Sequence, residues 1–177
     1  MAMIAYKAFK RGLIATCGSG NFQYKEGLNE FEAANCVREG AHCAEDPLDM
    51  FNYYRPGPDT EYRLVIASGD IDEDGRDSKI ACTRLIVKQE LTLPQVAAAA
   101  LVFWKKHPER SRKEFELGGF FKMKRAIDPF ISGKKGEWLC FAVGSHKAIA
   151  RIGMIYIDGE KFKPNILYDI DGNERSK

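Results

Sequence analysis

The chain has 177 residues, of which 45% are hydrophobic and 29% charged, and its formal net charge is +2. This length and apolar content fit a folded domain with a real core and exclude a disordered chain. Five cysteines without a CxxC pair predict reduced thiols rather than a disulfide framework. No secretory signal and no run of roughly 20 apolar residues is present, so we expect a cytoplasmic protein without a membrane partner.

The charges are unevenly distributed along the chain. Acidic residues dominate between Glu26 and Asp77, and basic residues dominate between Lys105 and Arg151. Such asymmetry predicts charged partners or charge complementarity within the chain. Two solvated faces would give the same pattern, and composition alone does not separate these interpretations.

The first third of the chain reads mainly as short strands. Alternating apolar and polar residues predict a strand over Met3–Phe9, and a glycine-containing loop follows over Lys10–Gly20. Further predictions are a short strand over Asn21–Tyr24, either a helix or a strand over Glu30–Arg38, and an extended segment over Ala41–Ala44.

A short helix is predicted over about 47–54. Asp46 can cap the free backbone N–H groups, and Pro47 at the first helical position sacrifices no hydrogen bond. Asp49 favours the positive end of the helix dipole. The two prolines of Arg55-Pro-Gly-Pro-Asp59 end the helix.

The centre of the chain predicts two strands and then the main helix. Glu61–Ser68 and Lys79–Glu90 alternate for most of their length, which predicts an antiparallel pair joined by a long acidic loop over Gly69–Ser78. Thr92 and Gln95 match a capping box, and the alanine-rich run that follows predicts the main helix over about 93–106.

The last part of the chain predicts a further sheet-forming region. His107–Arg125 is basic and mixed, which indicates irregular or short helical structure. Glu137–Gly144 reads as a buried strand. Ala148–Ile157 and Lys161–Ile170 read as a hairpin across the turn signal Asp158-Gly159.

Together these elements predict an α+β fold in which a mixed or antiparallel sheet packs against the main helix. We expect a single domain over residues 1–177, with 1–106 and 107–177 as its parts if it divides. No internal repeat or low-complexity tract appears.

The acidic loop is the first candidate site. Its carboxylates can compete for the Lys- and Arg-lined clefts of nucleic-acid-binding proteins. The candidate partner-binding residues are Asp70, Asp72, Glu73, Asp74 and Asp77. The loop also begins like an EF-hand calcium loop, but Ala81 stands where the bidentate Glu is required. We predict no metal site.

Two other clusters carry weaker signals. His42 with Cys17, Cys36 and Cys43 lacks the spacing of a zinc site, so buried thiols are the expected outcome. The basic segment over about 105–125 interleaves lysines and arginines with aromatic residues, which suits a nucleic acid backbone and its bases. Its candidate nucleic-acid-binding residues are Lys122, Lys124 and Arg125.

Several motifs resemble a family of uncharacterised bacteriophage and prophage proteins. The most specific is the block from Gly40 to Tyr54, which reads GAHCAEDPLDMFNYY. The other motifs are a first strand like Tyr6-Lys-Ala-Phe9, a short segment like Asn21-Phe-Gln-Tyr24…Gly27 and an acidic loop ending like Asp77-Ser-Lys79. The last motif is a C-terminal segment like Ile155-Tyr-Ile-Asp-Gly159-Glu-Lys-Phe-Lys-Pro164…Tyr168. The resemblance implies a viral protein that acts on a partner in the bacterial host. It implies no established activity.

A weaker similarity is to ADP-ribosyltransferases. In that family an early strand, a glycine-containing strand that leads into a helix with a Tyr, and a later Glu form the nicotinamide pocket. The similarity implies His42, Tyr54 and Glu90 as catalytic residues and NAD as the cofactor. Lys7 stands where the family uses Arg or His, and no Ser-Thr-Ser element follows.

Three functions therefore stand as hypotheses. The first is a phage-type, host-directed binding protein without a cofactor, acting through a charged surface as an inhibitor of a host defence or nucleic-acid-handling protein. The alternatives are an ADP-ribosyltransferase-like enzyme that uses NAD and a nucleic-acid-binding module.

Overall fold

The computed structural model describes residues 2–17, 20–36, 38–73 and 75–175. Most of the regular structure is strand, with one main α-helix, so the predicted α+β class is confirmed. The chain divides into two compact units, Met1–Thr92 and Leu93–Lys177. The main helix therefore belongs to the second unit.

The first unit is a seven-stranded sheet in which every pair is antiparallel. A 3₁₀ helix, Pro47–Asn52, lies between the fifth and sixth strands. The strands are β1 Ala2–Lys10, β2 Ile14–Cys17, β3 Gly20–Gln23, β4 Gly27–Glu30, β5 Ala41–Ala44, β6 Thr60–Glu73 and β7 Lys79–Leu91.

Four of these strands close into a ring. β5 and β6 each pair with both β1 and β7, so the order β1–β6–β7–β5 returns to β1. Alternate residues of each strand point into the ring and form its core. This core includes Ala5, Phe9, Ala41, Cys43, Val65, Ala67, Ile80, Cys82 and Leu85.

A lysine also lies on the inner face of the ring. Lys7 is 6% exposed, and its Nζ donates to the backbone oxygen of His42 at 2.5 Å. The same Nζ lies 5.2 Å from the ring centroid of Phe9 and 5.0 Å from that of Tyr24. A buried ammonium group requires such compensation, because transfer from water is costly without it.

The 3₁₀ helix begins where the sequence predicts a short helix. The Asp46 side chain accepts a hydrogen bond from Leu48 N at 2.9 Å, and Pro47 occupies the first helical position. The helix ends at Asn52, two residues before the predicted end. Its residues from Pro47 to Phe51 are buried, so this short turn covers part of the sheet.

Two predicted loops of the first unit are partly wrong. Within the predicted loop Lys10–Gly20, Ile14–Cys17 forms β2, which pairs with the end of β1. The predicted acidic loop Gly69–Ser78 is shorter, because β6 continues to Glu73 and pairs with β7 there. Gly69, with φ of +80°, marks the irregular step that lets the strand continue.

The second unit is a four-stranded mixed sheet covered by the main helix. Its order is β11–β10–β9–β8, and β9 and β10 are parallel. The helix buries Val96, Ala97, Ala100, Leu101, Phe103 and Trp104 and contacts three of the strands. The elements are α1 Leu93–Lys106, a 3₁₀ turn Pro108–Arg110, β8 Glu114–Leu117, β9 Phe121–Ala126, β10 Trp138–Gly144 and β11 Ile149–Tyr156.

The second unit also differs from two predictions. The basic segment contains a hairpin, β8–β9, rather than only irregular or short helical structure. The predicted partner strand Lys161–Ile170 does not form, and β11 pairs with β10 instead. Within that segment Tyr168 makes isolated bridges to Ile131 and Glu174.

Candidate protein-binding surface

Ser78 connects the 3₁₀ helix to the start of β7. Its backbone N and its Oγ donate to Asp49 Oδ2 at 2.9 and 2.6 Å. Its Oγ also accepts from Asp46 N at 2.9 Å. All three residues are buried, so these bonds form away from competing water. They hold the helix against the turn end of the β6–β7 hairpin.

A tyrosine at the end of the same helix lies at the surface beside the hairpin. The Tyr53 hydroxyl donates to Asp77 Oδ2 at 2.7 Å, and Lys79 Nζ lies 5.1 Å from the Tyr53 ring centroid. Partial burial and the bond to Asp77 raise the pKa of Tyr53, so the hydroxyl stays protonated and remains a donor. The ring is 51% exposed, yet these contacts orient it.

The end of β6 extends beyond β1, which is one of the two strands that pair with it. β1 pairs with β6 as far as Ser68, whereas β7 continues alongside β6 to Glu73. Residues 69–73 are all exposed. Asp70 N donates to Thr83 Oγ1 at 2.9 Å, which holds the irregular step in place.

Several carboxylates are gathered here. Among the described residues, no ion pair involves Asp70 or Glu73. Asp72 Oδ2 accepts a hydrogen bond from Cys36 N at 2.7 Å. We call residues 69–73, Asp77 and Tyr53 the acidic hairpin end.

The calcium-like sequence at this end of the hairpin is only partly described. Asp74, a predicted partner-binding residue and part of the calcium-like sequence, lies outside the described residues. Within the described ranges, no group of three or more His, Cys, Asp or Glu side chains could hold a metal ion.

The three residues that the ADP-ribosyltransferase similarity implies do not meet in one cleft. His42 pairs with Ala81 on β7, and Glu90 lies nine residues further along that strand. An extended strand of that length spans about 30 Å. The Tyr54 hydroxyl accepts from Thr16 N at 2.9 Å, so it is fixed on β2. The structure therefore does not bring His42 and Glu90 together in one cleft.

The predicted nucleic-acid-binding residues lie on β9. Lys122 pairs with Glu116 at 3.5 Å, and Lys124 pairs with Glu114 at 3.6 Å, both across the β8–β9 hairpin. Arg125 is half-buried, and its Nε has no hydrogen-bond partner among the described residues. The two lysines are thus partly neutralised, which weakens their attraction for a phosphate backbone.

Sequence reasoning selected Tyr54 and did not identify the role of Ser78. The structure places the Tyr54 hydroxyl on β2 and leaves Tyr53 at the acidic hairpin end. The period of a short 3₁₀ helix does not decide which of two adjacent tyrosines faces solvent. The only signal for Ser78 is its position between Asp77 and Lys79, at the start of a predicted strand.

The fold defines an α+β chain whose first unit is an antiparallel sheet with a closed ring. Residues 3–99, more than half of the chain, match the family described as a domain of unknown function (DUF7666), and the chain belongs to that family. No curated protein and no solved structure matches the chain. Among the described residues, no helix has the length and apolar character needed to cross a membrane.

Proposed function

We propose that this chain is a binding protein that presents the acidic hairpin end to a basic surface of another protein. The observation that supports this proposal is the exposed end of β6, where Asp70 and Glu73 make no ion pair within the described residues. Their charge is available to lysines and arginines on a partner.

The local structure suits recognition because it is held before a partner arrives. Asp70 and Asp72 are two residues apart on one strand, which places them roughly 7 Å apart along it. The hydrogen bonds of Ser78 and the bond from Tyr53 to Asp77 fix the neighbouring surface. Less conformational entropy is then lost on binding. Exposed tyrosines often anchor interfaces of this kind.

The partner is a protein of the bacterial host under this proposal, as the resemblance to phage proteins implies. A basic nucleic-acid-binding cleft has the charge that fits the acidic hairpin end, and occupying such a cleft would inhibit it. A host defence or nucleic-acid-handling protein is therefore the proposed target.

The test compares two double variants of the full chain that lose the same charge. Asp70→Asn with Glu73→Gln removes two carboxylates from the acidic hairpin end. Glu160→Gln with Glu174→Gln removes two exposed carboxylates from the second unit. Each form is immobilised and exposed to a bacterial lysate, and captured proteins are quantified at low and high salt.

We expect the first variant to capture roughly tenfold less of a basic partner than the wild type does. The reason is that it lacks two charge contacts worth about 0.5–1 kcal/mol each. The control variant keeps the wild-type level, and heparin, a polyanion, competes with the wild type and the control variant for the basic partner. Tyr53→Ala should weaken capture as well, through loss of an aromatic anchor.

Two results would contradict the proposal. One is equal capture of the same partner by the wild type and the Asp70→Asn, Glu73→Gln variant. The other is salt-sensitive binding of an oligonucleotide that Lys122→Ala with Lys124→Ala abolishes, which would favour the nucleic-acid-binding alternative.

A further inference from the structure

The β8–β9 hairpin carries its charges differently on its two faces. Side chains alternate between the faces along a strand, so Lys122 and Lys124 of β9 lie on one face and Arg125 lies on the other. Lys122 Nζ lies 3.5 Å from Glu116 Oε1. Lys124 Nζ lies 3.6 Å from Glu114 Oε1. Each cation of the first face is therefore paired with a carboxylate of the neighbouring strand.

On the other face, the residue opposite Arg125 is a second cation. The backbone N of Arg125 donates to the oxygen of Lys113 at 2.8 Å, which continues the pairing of Glu114 with Lys124 by one residue. Residues directly opposite each other on antiparallel strands share a face, so the side chains of Lys113 and Arg125 are neighbours. Among the described residues, neither side chain forms an ion pair or a hydrogen bond. Two like charges in such a position destabilise a sheet.

The guanidinium group of Arg125 is partly withdrawn from water. Its Nε is buried and has no hydrogen-bond partner within the described ranges. Its two terminal nitrogens also lack a protein partner there, but they are not buried. A partly desolvated charge attracts an anion more strongly than a fully hydrated one, because the effective dielectric constant is lower. Arg125 therefore offers accessible donors on a charge that the protein does not compensate.

The surroundings of this pair add positive charge and no carboxylate. Phe115 lies two residues beyond Lys113 on β8, and Arg112 Cζ lies 5.2 Å from the centroid of the Phe115 ring. The residue beside Arg125 on β10 is Ala142, which is small and uncharged. The main helix, which contacts β9, contains no Asp or Glu. The field at this end of the hairpin face is therefore positive.

We propose that Lys113 and Arg125 form a binding site for a phosphate group. The planar guanidinium matches two phosphate oxygens, and the lysine ammonium supplies a point charge beside it. An anion between the two cations offsets their repulsion and the desolvation of Arg125. The phosphate group belongs either to a free phosphate compound or to a nucleic acid backbone, and the test separates these two sources. The site lies in the second unit and does not depend on the binding function above.

This site differs from the nucleic-acid-binding residues that the sequence predicts. Of Lys122, Lys124 and Arg125, only the arginine belongs to it. The two lysines lie on the opposite face and are paired with carboxylates. They therefore provide a matched control within the same hairpin.

The first experiment follows the Arg125 Nε–H group directly. The full-length ¹⁵N-labelled chain is titrated with sodium phosphate at neutral pH, and sodium chloride keeps the ionic strength constant. Arg125→Lys assigns the resonance, because it removes that Nε–H group. We expect the Arg125 resonance to shift and then saturate, while the resonances of the other arginines move little.

Two double variants then compare the faces of the hairpin. Lys113→Met with Arg125→Met removes the proposed site, and Lys122→Met with Lys124→Met removes the same charge from the opposite face. We expect the first variant to bind phosphate at least about tenfold more weakly and the second to bind it nearly as the wild type does. The second variant leaves two carboxylates without their lysines, so a purely non-specific attraction would weaken at least as much in it.

Stability distinguishes a binding arginine from a structural one. Without phosphate, Arg125→Met should keep or raise the thermal midpoint, because it removes a buried donor without a partner and a like-charge contact. Phosphate should raise the midpoint of the wild type by binding to the folded state, and it should raise that of Arg125→Met less. Arg125→Lys keeps the charge without the planar fork and should weaken phosphate binding severalfold.

An oligonucleotide identifies the source of the phosphate group. A fluorescein-labelled oligothymidylate of about ten nucleotides is added to the same proteins, and its anisotropy is measured. Binding that is tighter than that of inorganic phosphate and is lost in the Lys113→Met, Arg125→Met variant assigns the site to a nucleic acid backbone. Saturable binding of inorganic phosphate without binding of the oligonucleotide assigns it to a free phosphate compound.

Three results would overturn the proposal. They are the absence of a saturable shift of the Arg125 Nε–H resonance with either probe, an equal loss of binding in the two double variants, and a destabilised Arg125→Met variant whose midpoint still responds to phosphate as that of the wild type does. Far-UV circular dichroism checks that each variant is folded, and the charge-conserving Arg125→Lys variant provides the comparison if the double variant does not fold.

Discussion

His42 illustrates how single residues depend on their neighbours in this fold. Its side chain is half-buried on β5, and its backbone oxygen accepts from Lys7 Nζ. Burial lowers the pKa of His42, and the charges of Lys7 and Lys79 lower it further. Hydrogen bonds to the backbone of Asn35 and Gly40 oppose this change. The neutral ring is therefore the form that the fold accommodates.

This lowered pKa predicts a loss of stability in acid. The unfolded chain binds the His42 proton at about pH 6.5, whereas the folded chain binds it only at lower pH. Between those two values the unfolded state holds more protons, so the free energy of unfolding falls as the pH falls below about 6.5. Urea unfolding measured on both sides of that pH will show the slope.

His42→Gln should remove this part of the pH dependence, because glutamine does not titrate. His146→Gln changes an exposed histidine of the second unit and should keep the dependence. Identical pH profiles for wild type and His42→Gln would contradict the assignment.

At the scale of elements, the irregular step in β6 depends on a glycine. A Cβ added to Gly69 would lie 2.1 Å from Thr83 Oγ1, and φ at this position is +80°. Thr83 Oγ1 accepts the hydrogen bond from Asp70 N. A side chain at Gly69 would therefore disturb the contact that starts the acidic hairpin end.

Gly69→Ala should destabilise the chain more than the same change at Gly27. Gly27 has a φ of +79°, but an added Cβ would meet nothing within 4 Å. Both variants carry the backbone cost of about 1–2 kcal/mol, and only Gly69→Ala adds the clash and the lost hydrogen bond. We expect a difference of at least about 1 kcal/mol in chemical unfolding. Equal losses would show that Thr83 moves aside freely.

Local sequence patterns predicted most of the elements. Alternation identified β1, β6 and β7, and cap residues identified the starts of the 3₁₀ helix and α1. These signals lie within a few residues of each other, so they do not require knowledge of the tertiary structure.

The missed hairpin β8–β9 had a visible signal. Glu114–Leu117 alternates charged and apolar residues, and so does Phe121–Lys124. Gly118-Gly119 between them suits a tight turn, and Gly119 has a φ of +81°. The high charge of the segment obscured this alternation. In the opposite case, Lys161–Ile170 alternates in part but contains Pro164 and Asn165, with φ of +63° at Asn165, so no strand forms.

The surface was harder to predict than the fold. Contacts such as that between Asp49 and Ser78 join residues 29 positions apart, and no local pattern specifies them. The carboxylates could be listed from the sequence. To predict their arrangement along β6, and the exposure of Tyr53 rather than Tyr54, one needs to know which strands pair.

At the scale of the whole molecule, the family match and the compact units nearly coincide. The family spans residues 3–99, which covers the first unit and the start of α1. The ring and its core lie entirely within the first unit. This unit should therefore be able to fold without the rest of the chain.

A fragment of residues 1–92 should fold by itself, because it contains every strand of its sheet. It is also well above the length of roughly 40 residues below which a domain usually needs disulfides, metals or oligomerisation to be stable. We expect a strand-rich circular dichroism spectrum and a cooperative thermal transition. A fragment of residues 1–73 lacks β7, so its ring stays open and it should remain unfolded. A non-cooperative melt for residues 1–92 would contradict this prediction.

The closed ring has a consequence for the synthesis of the protein. Ala2 pairs with Ser68, so β1 lacks its full-length neighbour until most of the first unit has left the ribosome. Translation adds about 5–20 residues per second, so β1 is without β6 for several seconds. During this interval its exposed apolar face is a target for chaperones. The nascent chain is therefore most vulnerable to aggregation before β7 emerges.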